Sequence, residues 1–124
     1  MELNIFEAQQ QLIAEIVSDE MVINNPQDAL DIIAEANYHG AGRVMVYEQH
    51  LNPAFFDLQT RLAGEILQKC ANYRMKLAVI GAFEKYQSNS LQSFIGESNR
   101  GQLAFFVPDR ATAIAKLTGA TPGS

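Results

Sequence analysis

The sequence predicts a single α/β domain of order ββαβαβαβα, with a mixed but mainly parallel sheet. Three observations predict it. Short apolar runs alternate with segments of helical period after an opening pair of β-prone runs. The later runs, "RVMVY", "KLAVIGAF" and "QLAFFV", are continuous, as strands covered on both faces are. Capping residues stand where the helical segments begin. A chain of 124 residues suits one domain, placed at 1–118, with a small-residue flexible tail at 119–124.

The elements follow in order. "LNIFEA" and "QLIAEIVS", separated by Gln9 and Gln10, read as a hairpin or two adjacent strands, with Glu15 turned to solvent. Asn25 caps a helix that has Pro26 at its first position and Asp28 in its first turn. Its apolar stripe is Ala29, Ile32, Ile33 and Ala36, and Gly40 and Gly42 end it. "RVMVY" is the next strand. Asn52 and Pro53 repeat the helix-start signal for a long helix running to Tyr73. "KLAVIGAF" follows as a strand, then a helix from Ser88 or Ser90 closed by Gly101, the strand "QLAFFV", and a last helix capped by Asp109. Strands alternating with helices imply right-handed parallel crossovers.

Composition excludes several functions. Hydrophobic residues make up 48% and charged residues 19%, the balance of a chain with a packed core. A net charge of −5, with no basic cluster, disfavours nucleic-acid binding. The single cysteine, Cys70, allows no internal disulfide. No apolar run reaches the roughly 18 residues of a membrane span, and "MELNIFEAQQ" is not a signal peptide. The expectation is a cytoplasmic protein that needs no cofactor and does not bind membranes.

Open parallel sheets bind ligands beyond the carboxyl ends of their strands. Glu48, His50, Ser88, Ser90, Asp109 and Arg110 fall in those loops, and Glu48 with His50 is an acid–base candidate. A metal site is not expected: the other histidine, His39, ends a helix at the opposite edge, and the ligand count fails. "HGAGR" follows a helix, so it is not a dinucleotide fingerprint, and neither a P-loop nor a G-x-S-x-G elbow occurs.

The helix "AGEILQKCANYR" carries a core stripe of Leu58, Leu62, Ile66 and Cys70. Arg61, Glu65 and Lys69 form a four-residue ladder of charges. Gly64 admits a close neighbour. Gln68 and Asn72 lie on the flank, with no role in stripe or ladder.

The stretch "FFDLQTRLAGEILQKCANYRMKLAVIG", followed by "SNSLQSFIGESNRG", resembles a bacterial family of unknown function, domain-of-unknown-function family 4180. The resemblance runs from about Ile16 to Leu117 and carries no established activity. Relatives often have an acidic residue where this chain has Ala82, which implies that a carboxylate used there is lost. The order of elements also resembles that of STAS domains, the anti-sigma-factor-antagonist type. The phospho-switched members carry a Ser or Thr at a helix start after a central strand. The matching loop, "EQHLNPAFF", has no hydroxyl residue.

Two functions are carried forward. One is a non-catalytic regulatory or protein-binding domain, possible as a homodimer. It would use Glu65, Gln68, Lys69 and Asn72 with Glu97, Ser98 and Asn99, and Gln68, Asn72, Glu97 and Asn99 would share a hydrogen-bond network. The alternative is a small-ligand sensor or enzyme with a strand-end pocket of Glu48, His50, Ser88 and Ser90.

Overall fold

The computed structural model describes residues 1–119; beyond Gly119 the expected tail lies outside the described residues. Five strands form one sheet: β1 (Glu2–Ala8), β2 (Gln11–Val17), β3 (Arg43–Tyr47), β4 (Lys76–Ile80) and β5 (Ala104–Val107). The helices are α1 (Pro26–Tyr38), α2 (Leu62–Asn72), α3 (Asn89–Arg100) and α4 (Arg110–Thr118). The spatial strand order is 1-2-3-4-5. β1 runs antiparallel to β2, and every other neighbouring pair is parallel. The ββαβαβαβα order and the mainly parallel sheet are as expected.

That strand order decides where the helices lie. Each crossover steps one strand in the same direction with the same hand, so α1, α2 and α3 share one face. There Ala14, Val46, Val79 and Phe106 of the sheet pack with Ile33, Ile66, Leu91 and Ile95 of the helices. No described strand follows α4, which instead covers the other face, over Ile13, Met45, Ile80, Phe105 and Val107, with its own Ala113 and Leu117. Both faces of β3, β4 and β5 are therefore covered, which explains their continuous apolar runs.

α4 is fastened at both ends. Arg110, its first residue, donates to the Glu15 carboxylate from Nε at 3.0 Å and from Nη2 at 3.1 Å. At the other end the Arg43 Nε donates to the Leu117 carbonyl at 2.6 Å, and the Gln11 side chain to the Thr118 carbonyl at 3.3 Å. These donors satisfy carbonyls that the end of a helix leaves free.

Three expectations are corrected. Glu15 does not face solvent: it is 8% exposed and held by Arg110, because period two places it beside Ile13 under the start of α4. The long helix does not begin at Asn52. The Asn52 side chain accepts from Ala54 N at 2.9 Å and caps only a 3-10 turn, Pro53–Phe56. Asp57 caps a second, Leu58–Thr60, and Arg61 turns left-handed at φ 65° before α2 starts. Leu58 and Arg61 thus lie outside the helix, and no ion pair joins Arg61, Glu65 and Lys69. Buried Phe55 and Phe56 occupy the interrupted segment; their rings meet edge-on, and Phe55 also packs against Phe106. Finally, Gly64 is exposed, and a Cβ there would meet nothing within 4 Å, so it admits no close neighbour.

The other caps are where the sequence puts them. Asn25 accepts from Asp28 N at 2.9 Å, Ser88 from Leu91 N at 3.1 Å and Asp109 from Thr112 N at 2.8 Å.

Candidate functional site

The α2 and α3 candidates do not form one hydrogen-bond network within the chain. Gln68 Nε2 donates to Asn72 Oδ1 at 2.9 Å, one turn apart on an exposed flank. Asn99 turns the other way. Its Oδ1 accepts from Phe106 N at 2.7 Å, and its Nδ2 donates to the Phe106 carbonyl at 3.1 Å. In the parallel pairing, Leu77 N and Gly81 N donate to the Leu103 and Val107 carbonyls, so Phe106 turns its own peptide groups outward. The Asn99 carboxamide stands in for a further strand at Phe106 and covers the edge there.

What α2 and α3 do share is a groove of about 280 Å³. Leu67 comes from α2, Phe94, Glu97 and Ser98 from α3, and Gln102 and Leu103 from the turn into β5. Leu67, Phe94 and Leu103 are half-buried, an apolar floor with a polar rim. Glu65, Gln68, Lys69 and Asn72 lie on α2 but do not line this groove.

A larger cleft, about 400 Å³, opens beyond the ends of β3 and β4. Glu48, Phe56, Lys85 and Tyr86 are among its walls. Both oxygens of Glu48 are engaged: Oε1 accepts from Ala82 N at 3.3 Å, and Oε2 takes the Tyr86 hydroxyl and Lys85 Nζ, the latter at 2.8 Å. Burial pushes this carboxyl up, but hydrogen bonds from Lys85 and Tyr86, the ammonium charge and the Ala82 amide outweigh it and hold it below its ordinary value. Burial and the bond to Glu48 push the Tyr86 phenol well up. Tyr86 also stacks on Phe56, ring centroids 5.0 Å apart. Gly81 makes this clamp possible, since a Cβ there would stand 2.6 Å from Glu48 Oε1.

His50 does not join Glu48. It is 2% exposed, and both ring nitrogens are engaged. Nδ1 accepts from Tyr47 N at 3.2 Å, which leaves Nε2–H to donate to the Ser18 carbonyl at 2.9 Å. The His50 carbonyl in turn accepts from Val22 N and Ile23 N. His50 therefore fastens the β2–α1 connection to the end of β3. Ser88 is spent on its cap and Ser90 is exposed; neither lines the cleft. Glu48, His50, Ser88 and Ser90 do not converge.

Sequence reasoning missed a second polar cluster. Glu15, in addition to Arg110, accepts from the Tyr47 hydroxyl at 2.9 Å and from Asn4 Nδ2 at 3.3 Å. Burial raises the Glu15 carboxyl, but Arg110, Tyr47 and Asn4 together hold it below its ordinary value. The Arg110 guanidinium also lies 4.8 Å over the Phe6 ring. An acidic residue inside the apolar run "LIAEIV" was the available signal: a buried carboxylate requires a cation.

Cys70 is buried, and burial pushes its thiol up to about 12, which removes it as a nucleophile. Among the described residues, no three His, Cys, Asp or Glu side chains meet as metal ligands. No helix among them is long and apolar enough to cross a membrane.

No curated protein and no solved structure is similar enough to match the chain. The family model described as a domain of unknown function, DUF4180, matches residues 8–117, which takes in β2 to β5, α1 to α3 and all of α4 but its last residue. The chain belongs to the DUF4180 family.

Proposed function

We propose that this domain is a non-catalytic regulatory module that binds a partner protein through the groove between α2 and α3. The observation that carries the reading is the groove itself: half-buried Leu67, Phe94 and Leu103, rimmed by Glu97, Ser98 and Gln102. An apolar floor with a polar rim is how protein interfaces are built. The separate engagement of Glu48 and His50 supports the same reading, since the two side chains do not meet as an acid–base pair. The STAS-like order of elements adds a likeness to regulators, at the level of fold analogy.

The test is site-specific photocrosslinking in the source cells, with the photoreactive residue at Gln102 or at Gln49 beside the strand-end cleft. The expected result is a protein adduct from position 102 that Leu67→Lys abolishes. Adducts from position 49 alone, or none from 102, refute the groove. The strand-end cleft supports a second reading, a small-ligand sensor, because Lys85 presents a half-exposed ammonium there. Thermal stabilisation by a metabolite, lost in Lys85→Ala, favours that reading instead.

A further inference from the structure

The two edges of the sheet are finished differently. At β5 the outward groups of Phe106 are taken by Asn99. At β1 they are free. Gln9 and Gln10, at φ 51° and 63°, form the two-residue turn that joins β1 to β2. Across such a turn the flanking residues, Ala8 and Gln11, exchange both hydrogen bonds, and exchanging pairs then alternate along the strands. Glu2, Asn4, Phe6 and Ala8 thus face β2, and Leu3, Ile5 and Glu7 present their N–H and C=O groups outward. Among the described residues nothing pairs with those groups. The strand has neither proline nor lysine, the usual blocks to edge pairing. Its Leu3, Ile5 and Phe6 side chains remain half-buried.

We propose that two copies of this chain pair through the outer edge of β1, antiparallel, about a two-fold axis at Ile5. The strand matches itself in this register. Ile5 meets the partner's Ile5, and Leu3 meets the partner's Glu7, so all three outward residues exchange both bonds. A slip of two residues either way leaves one of them unpaired. Glu2 meets the partner's Ala8, so no carboxylate faces another across the pair, as a chain of net charge −5 requires. This self-match favours a second copy over an unrelated peptide strand. The product is a continuous sheet with five strands from each copy. The inference rests on the sheet edge and is independent of the α2–α3 groove.

Cysteine crosslinking of the full chain tests the register, since the native Cys70 is buried. Residues opposed in an exchanging pair have Cα atoms about 5.5 Å apart, within disulfide reach. Oxidised Ile5→Cys is expected to run as a covalent dimer, and Leu3→Cys, whose mate is Glu7, as a monomer. By sedimentation the wild type is expected at twice 13.7 kDa. Ile5→Pro removes the outward N–H at the axis but no β1–β2 bond, and is expected to return to 13.7 kDa with an unchanged circular dichroism spectrum. A wild type that stays monomeric through the high micromolar range overturns the proposal, including the case in which only a foreign strand binds β1. Equal crosslinking of both cysteine variants, or a dimer that survives Ile5→Pro, overturns it as well.

Discussion

Replacing Asn99 by alanine removes the carboxamide that pairs with both peptide groups of Phe106. Phe106 is 4% exposed, so water does not simply take the place of the lost side chain. The lost contacts are an N–H···O bond of 2.7 Å and its return bond of 3.1 Å. A buried backbone group left without a partner costs about 1–3 kcal/mol. The two groups lie side by side, and relaxation lets some water in, so the expected loss is about 2–4 kcal/mol. That is a large part of the ~5–15 kcal/mol that holds a domain together, and it corresponds to a melting point lower by roughly 10 °C. Asn99→Asp keeps the acceptor for Phe106 N but sets a carboxylate against the Phe106 carbonyl, so it restores part of the loss at most. Gln68→Ala, on the exposed flank, is the control and is expected within about 0.5 kcal/mol of wild type. Urea unfolding followed by circular dichroism gives the free energies, and hydrogen exchange at the Phe106 amide localises the effect. An Asn99→Ala protein as stable as the Gln68→Ala control, with Phe106 still protected, refutes the edge-closing role.

Three further outcomes are expected. Gly81→Ala forces a Cβ to within 2.6 Å of the Glu48 carboxylate and should destabilise by about 1–3 kcal/mol, whereas Gly64→Ala, in open space on a helix, should stabilise by about 0.5–1 kcal/mol; chemical denaturation ranks the two. Glu15 and Glu48 are held below their ordinary 4.5 in the fold, so the unfolded chain binds more protons between the two values. Their stabilisation is therefore present above pH 4.5 and fades as the pH falls through the lower folded values, and Arg110→Met should flatten the Glu15 share of an acid titration of stability. Replacing Gln9–Gln10 with Asn–Gly suits the left-handed turn and should raise stability by roughly 0.5–1 kcal/mol in thermal unfolding.

The period and caps of the sequence were enough to place most elements, because they depend on local chemistry. Asn25, Ser88 and Asp109 cap helices within three residues of themselves, and "RVMVY" needed only its lack of polar interruption, whereas the strand expected over "KLAVIGAF" stops at Ile80 and Phe83 enters a 3-10 turn. The segment 52–61 was misread for the same reason that it was readable. Asn52–Pro53 is a genuine cap, but Asp57 caps again immediately and Arg61 breaks the helical run, and such competition is settled by where Phe55 and Phe56 are buried. Side-chain partners far apart in the chain were not legible. Arg110 meets Glu15 across 95 residues, and no spacing rule joins them. The two stretches of the family resemblance do come together, but through Leu67 and Phe94 at a groove, while Gln68 and Asn99 keep separate partners.

The fastening of α4 also bears on how the chain is made. Its anchors, Glu15, Arg43 and Gln11, lie 74 to 107 residues upstream of the groups they hold. During synthesis from the N-terminus, Ile13 and Met45 leave the ribosome long before the helix that covers them, and Phe105 only just before it. One core can form as α1, α2 and α3 fold back onto their strands, while the other waits for residues 110–118. Loop closure over such distances is slow. A nascent chain therefore presents an uncovered apolar sheet face for most of its synthesis, and that is the interval in which a chaperone has something to hold.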